Sequence, residues 1–131
     1  MAEGFQLREQ NIIAFVATRD LARAKSYYRD TLGLTLVAEQ LPFALVFDAH
    51  GIMLRVTAVK ELREAAYTVL GWEVPNMIEA VRVLEKAGVQ FERYQGVPQD
   101  ELGIWTAPSG DRVAWFKDPD GNTVSITQHR G

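Results

Sequence analysis

The chain has 131 residues, 47% of them hydrophobic and 24% charged, with a net charge of −3 at neutral pH. That length suits one domain able to bury roughly two-thirds of its unfolded surface, and the acidic balance argues against a face built to neutralise phosphates, so no nucleic-acid partner is expected. The absence of cysteine excludes disulfides, thiolate metal sites and a cysteine nucleophile, and no apolar run approaches the roughly 18 residues that a membrane span needs.

From the N-terminus, MAEGFQLREQ lacks the apolar core of a secretion signal, and a cytoplasmic location is the expectation. NIIAFVA (11–17) is short and apolar throughout, as a strand covered on both faces would be. In TRDLARAKSYYRDTLGL, Thr18 or Asp20 can cap a helix, Leu21, Ala24, Tyr28 and Leu32 recur at helical spacing, and Gly33 supplies the left-handed stop. LTLVAE, FALVFD and IMLRVTAV read as three strands, with residues 48–51 turning between the last two. AYTVLGWEV (66–74) is again strand-like, and Pro75 and Asn76 open a second helix that lines Met77, Ala80, Val81 and Leu84 along one face and stops at Gly88. QFERY, GIWTA, RVAWF and TVSITQ complete the strand candidates.

The predicted architecture is α+β. One domain spans residues 1–131, made of two βαβββ modules, 1–62 and 63–131, whose sheets form a curved mixed surface around a cleft. One helix per module covers only one face of each sheet. The two uncovered faces, set opposite each other, enclose a binding site between the modules.

RDLARAKSYYRDTLGL and FKDPDGNTVSI resemble segments of the vicinal oxygen chelate superfamily, which includes glyoxalase I, bleomycin-type resistance proteins and extradiol dioxygenases. Ala24, Tyr27, Tyr28, Leu32, Gly33 and Leu34 match its helix signature, residues 118–122 match its D-P-D-G-N turn, and the paired βαβββ order extends the likeness over the whole chain. The resemblance implies a glyoxalase/bleomycin-resistance-like fold, a small-molecule ligand and a homodimer. Its metal enzymes carry four cavity-facing ligands, usually His, Glu or Gln, and those places fall here on Ile13, Arg55, Val69 and Ser125. Two aliphatic side chains, a cation and one hydroxyl do not form a chelating set, so no metal and no cofactor are expected.

From these carried positions, strand alternation lists the cleft wall as Ile13 and Phe15; Met53, Arg55 and Thr57; Val69, Gly71 and Glu73; and Thr123, Ser125 and Thr127. Ile12, Ala14, Val16, Ile52, Leu54, Val56, Leu70, Trp72 and Val74 then pack beneath the helices. Arg55 is either a solvated strand residue or the anchor of an anionic group, and Glu73 either a rim or ion-pair residue or a general base. Trp105 and Trp115 are candidate ligand platforms whose facing stays open, His50 and His129 read as solvated, and residues 95–103 read as surface loop or lid. The expected function is metal-independent binding of a small, planar or anionic organic molecule by Phe15, Met53, Arg55, Thr57, Glu73, Trp105, Trp115 and Ser125. The alternative is a glyoxalase-like lyase, isomerase or dioxygenase.

Overall fold

Each helix is framed by the signals its sequence carries. In a computed structural model of the chain, which describes residues 4–130, Asp20 caps α1 (Leu21–Ser26) by accepting a bond from the Arg23 amide at 3.1 Å, and Asn76 caps α2 (Met77–Lys86) by accepting from the Glu79 amide at 3.1 Å. The outermost positions of the expected domain span, 1–3 and 131, lie outside the described residues. The first helix runs on through a π-helical turn (Tyr27–Thr31) that ends at Leu32 and Gly33.

Gly33 sits at a φ of +78°, and a Cβ built there would meet nothing within 4 Å. Its cost to any other residue is therefore backbone strain alone. Gly33→Ala is expected to lower stability by about 1 kcal/mol, a fall in melting temperature of roughly 3–5 °C by thermal unfolding.

Around the helices run β1 (Ile13–Thr18), β2 (Thr35–Gln40), β3 (Ala44–Ala49), β4 (Ile52–Ala58), β5 (Leu70–Glu73), β6 (Trp105–Thr106), β7 (Arg112–Lys117) and β8 (Thr123–Gln128). They form two four-stranded sheets of one plan, β1-β4-β3-β2 and β5-β8-β7-β6. In each sheet the first strand lies parallel to the last and the other pairings are antiparallel. The α+β reading and the element order hold.

The convex faces make two apolar cores. Val16, Leu45, Phe47, Leu54 and Val56 pack under Ala24 and Tyr28, while Ala114, Phe116, Val124 and Ile126 pack under Met77 and Val81. Tyr27 and Leu32 pack against the second core and Leu70 against the first, so the modules share apolar contacts. Leu54, Val56, Leu70, Trp72 and Val74 take the helix side as alternation requires.

Four expectations need correction. Ile12 and Ile52 are exposed, because Ile12 precedes β1 and Ile52 opens β4, beyond the residues that Ala24 and Tyr28 cover. QFERY forms no strand, only a bridge between Phe91 and Phe116. Side chains replace the ladder there: Gln99 Oε1 accepts from the Tyr94 amide and its Nε2 donates to the Glu92 carbonyl, while the Arg93 guanidinium donates to the Asp100 and Glu101 carbonyls. AYTVLGWEV narrows to the four residues of β5, and GIWTA to the two of β6.

Candidate functional site

The register between strands fixes which side chains share the concave faces. In the first sheet Ile13 stands opposite Met53, Phe15 opposite Arg55 and Ala17 opposite Thr57. In the second, Gly71, Ser125 and Trp115 form one cross-strand row, and Glu73, Thr127, Val113 and Trp105 the next. Trp105 and Trp115 therefore face the concave side, which sequence alternation alone could not decide. Their rings lie 6.1 Å apart, and Tyr94 meets Trp115 edge-on at 5.5 Å. The three rings make an aromatic platform on this wall.

The D-P-D-G-N turn does something other than chemistry. Asp118 is buried and accepts four hydrogen bonds: from the Tyr28 hydroxyl at 2.7 Å, the Asp120 and Asn122 amides at 2.9 Å each, and Asn122 Nδ2 at 2.8 Å. Asp120, also buried, accepts from Thr18 Oγ1 at 2.5 Å, the Arg19 amide at 2.9 Å and Arg23 Nη2 at 2.8 Å. Asn122 Nδ2 donates to the Ala17 carbonyl at 2.8 Å. The turn opening β8 is thus stapled to the end of β1 and to α1, which sets one sheet against the other. Burial, then the charge of Asp118 and its hydrogen bond, push the Tyr28 phenol far above its ordinary value. The Tyr27 phenol is pushed up to about 12, first by burial and then by the charge of Asp118.

Gly121 at the tip of this turn has a φ of +84°, and the Glu64 side chain occupies the space a Cβ would take. Gly121→Ala must both strain the backbone and displace Glu64. A loss of about 1–2 kcal/mol is expected by urea denaturation, larger than at Gly33.

The four residues on which the resemblance puts the chelate places do not make a metal set. Ile13 and Val69 carry no donor, Arg55 is a cation, and the Ser125 hydroxyl is the one neutral oxygen among the four. Ser125 is only 7% exposed, lying in the row between Gly71 and Trp115, and a Cβ at Gly71 would come within 3.2 Å of its Oγ. Beside it Thr123 is buried and donates to the Ala65 carbonyl at 2.9 Å. Part of the hydroxyl face of β8 is therefore spent holding the connection between the sheets.

Arg55 and Glu73 are engaged apart from each other. Arg55 Nη1 donates to Gln40 Oε1 at 2.7 Å. The bond joins β4 to β2 across β3, over the small concave residues Ala44 and Val46, which are buried. Glu73 is exposed at the rim, its carboxylate 3.3 Å from His129 Nε2, while His129 Nδ1 lies 3.2 Å from Asp111. His50 is an exposed turn residue, and the loop 95–103 is pinned, Asp100 accepting from the Leu102 and Ile104 amides at 2.9 Å each.

At the junction of the sheets lies a cleft of about 550 Å³. Phe15 and Thr57 line it from the first sheet and Val69 from the start of the second, while Glu61, Leu62 and Arg63 border it from the connecting segment. Arg63 is exposed and makes no ion pair or side-chain hydrogen bond among the described residues. The sequence reading missed it. The available signal was the pair of cations Lys60 and Arg63 in the connection that must pass from one sheet to the other, from β4 to β5. Ile13, Phe15, Met53 and Val69 are all exposed on this concave side, Phe15 by 59%.

The profile of the Glyoxalase/Bleomycin resistance protein/Dioxygenase superfamily matches residues 11–126, and the chain belongs to that family. Among solved structures it is similar to a lactoylglutathione lyase from Agrobacterium tumefaciens, at 17% identity and a TM-score of 0.70 over 92% of this chain and 93% of that one. It is also similar to TioX from Micromonospora sp. ML1 (18% identity, TM-score 0.69, 92% and 99% covered). A third likeness is to the genomically encoded fosfomycin resistance protein FosX from Listeria monocytogenes (14% identity, TM-score 0.69, 99% and 96% covered). At these identities the likeness establishes the fold. No curated protein matches the chain significantly. Among the described residues no helix is long and apolar enough to cross a membrane.

Proposed function

We propose that this protein binds a small, planar, anionic organic molecule in the cleft between its two sheets without a metal, in the manner of resistance proteins that sequester an aromatic compound. The observation that carries this reading is the cleft beside Phe15 and Val69, with Arg63 unpaired at its border. A largely apolar wall bordered by the Arg63 guanidinium suits an aromatic carboxylate, which the fork of an arginine grips through two bonds, provided that the carboxylate sits on the Arg63 side and away from Glu61. Thr57 lines the cleft, Met53 and Arg55 share its face of the first sheet, and Trp105, Trp115, Ser125 and Glu73 share the corresponding face of the second.

The reading includes a homodimer in the cytoplasm. Four exposed apolar side chains on one concave face are more than an isolated monomer ordinarily leaves in water, and a second copy would cover part of them.

Intrinsic fluorescence titrated with 1-naphthoate, 2-naphthoate and 1-naphthylmethylammonium tests the ligand. Saturable binding of the carboxylates is expected, weakened about tenfold by Arg63→Gln and by Phe15→Ala. A flat response across such a panel overturns the reading. Native mass spectrometry with Ni²⁺, Zn²⁺ and Fe²⁺ tests the metal, and one tightly held ion per chain would overturn this reading in favour of a glyoxalase-like lyase, isomerase or dioxygenase.

A further inference from the structure

A second cavity, of about 370 Å³, opens on the opposite, helix-bearing side of the molecule. Leu32 and Leu34, from the segment after α1, form one wall; Ala80, Val83 and Leu84 of α2 form the other, with Trp72 between them. The cavity thus spans the seam between the modules, and its walls are mainly apolar, with Glu73 and Asn76 also among its lining residues. A volume of this size is within the range of small-ligand sites, and none of its lining residues is a lysine or arginine. Glu79, in the first turn of α2, contributes a carboxylate to the lining that makes no ion pair among the described residues.

We infer that this seam is a second binding site, for an apolar cation: an aliphatic or aromatic body with a protonated amine. The body enters between Leu32 and Val83, and the ammonium group stays at the solvent edge beside Glu79. Apolar contact provides the attraction, and the two lining carboxylates, Glu79 and the His129-paired Glu73, set the sign of charge accepted. Anions are disfavoured because no cation lines the cavity. No residue lining this cavity lines the concave cleft beside Phe15, although Glu73 also borders the wider concave face, and neither reading rests on the other.

Trp72 is the natural reporter, since Trp105 and Trp115 lie on the concave faces. In a W105F/W115F protein, where Trp72 is the sole indole, n-octylammonium is expected to change the emission saturably, at about 1 mM or below. Octanoate should bind about fivefold more weakly, and Glu79→Lys should reverse that preference. Should the double variant not fold, the wild-type melting temperature serves: octylammonium raises it more than octanoate, and Glu79→Lys inverts the order. Equal responses to both amphiphiles, or none, would overturn the inference. An emission shift of Trp72 that depends on protein concentration without added ligand would also overturn it, showing a second copy of the chain seated in the seam.

Discussion

Replacing Asp118 by alanine is expected to cost about 4 kcal/mol of folding stability, measured as a shift in urea midpoint at unchanged slope. The side chain is 5% exposed and accepts four hydrogen bonds, from Tyr28, the Asp120 and Asn122 amides and the Asn122 side chain. Truncation leaves the Tyr28 hydroxyl and the Asp120 and Asn122 amides with no acceptor and takes from Asn122 Nδ2 one of its two, and each unsatisfied group costs on the order of 1–3 kcal/mol before local relaxation. A chain of this size has on the order of 6–20 kcal/mol in total, so the variant stands near the limit of folding at 37 °C. Asp118→Asn separates charge from shape. One amide oxygen still serves the two backbone donors, but the amide nitrogen then faces the Asn122 amide nitrogen, donor against donor. About half the loss is expected. Tyr28→Phe, which removes one bond and leaves the carboxylate its other three, should cost only about 1 kcal/mol.

The same turn shows how far the sequence could be read. D-P-D-G-N was legible as a tight turn and as a family mark, because Gly121 and the paired aspartates have local signatures. Its use was not legible. Thr18 and Asp120 are separated by 102 positions, and no local pattern announces that a hydroxyl at the end of β1 meets a carboxylate before β8. The concave and convex faces were readable wherever strands alternate cleanly, as in β4 and β8. They were not readable for Trp105 and Trp115, since facing there depends on register with β8, set by the β7–β8 turn and the two-residue β6. Arg55 was legible as a cation kept out of the core, while its bond to Gln40 across β3 needed the sheet order. Arg63 escaped altogether, because a connecting segment has no period from which to read a direction.

Asp120→Asn is expected to lower stability by about 3 kcal/mol at pH 7 and to flatten its dependence on acid. Burial alone would raise the Asp120 carboxyl. The Thr18 hydroxyl, the Arg19 amide and the charge and bond of Arg23 together outweigh burial and hold the carboxyl below the usual carboxylate range. In the unfolded chain that group takes up its proton near pH 3.9, before the folded state does. The stabilisation from Asp120 is therefore fully present above about pH 5 and is lost as the pH falls through the folded-state value. Urea midpoints at pH 7, 5, 4 and 3 should converge for wild type and variant as the acid limit is approached. Curves that stay parallel would remove Asp120 from the acid response. Salt divides its partners further. The Arg23 side chain is 45% exposed, so 1 M NaCl should screen that interaction, while the buried Thr18 bond and the part-buried bond from the Arg19 amide should keep most of their effect. A wild-type midpoint at pH 7 that falls only slightly in salt, against a large fall on Asp120→Asn, would mean that the sheets are held together by buried hydrogen bonds more than by the surface ion pair.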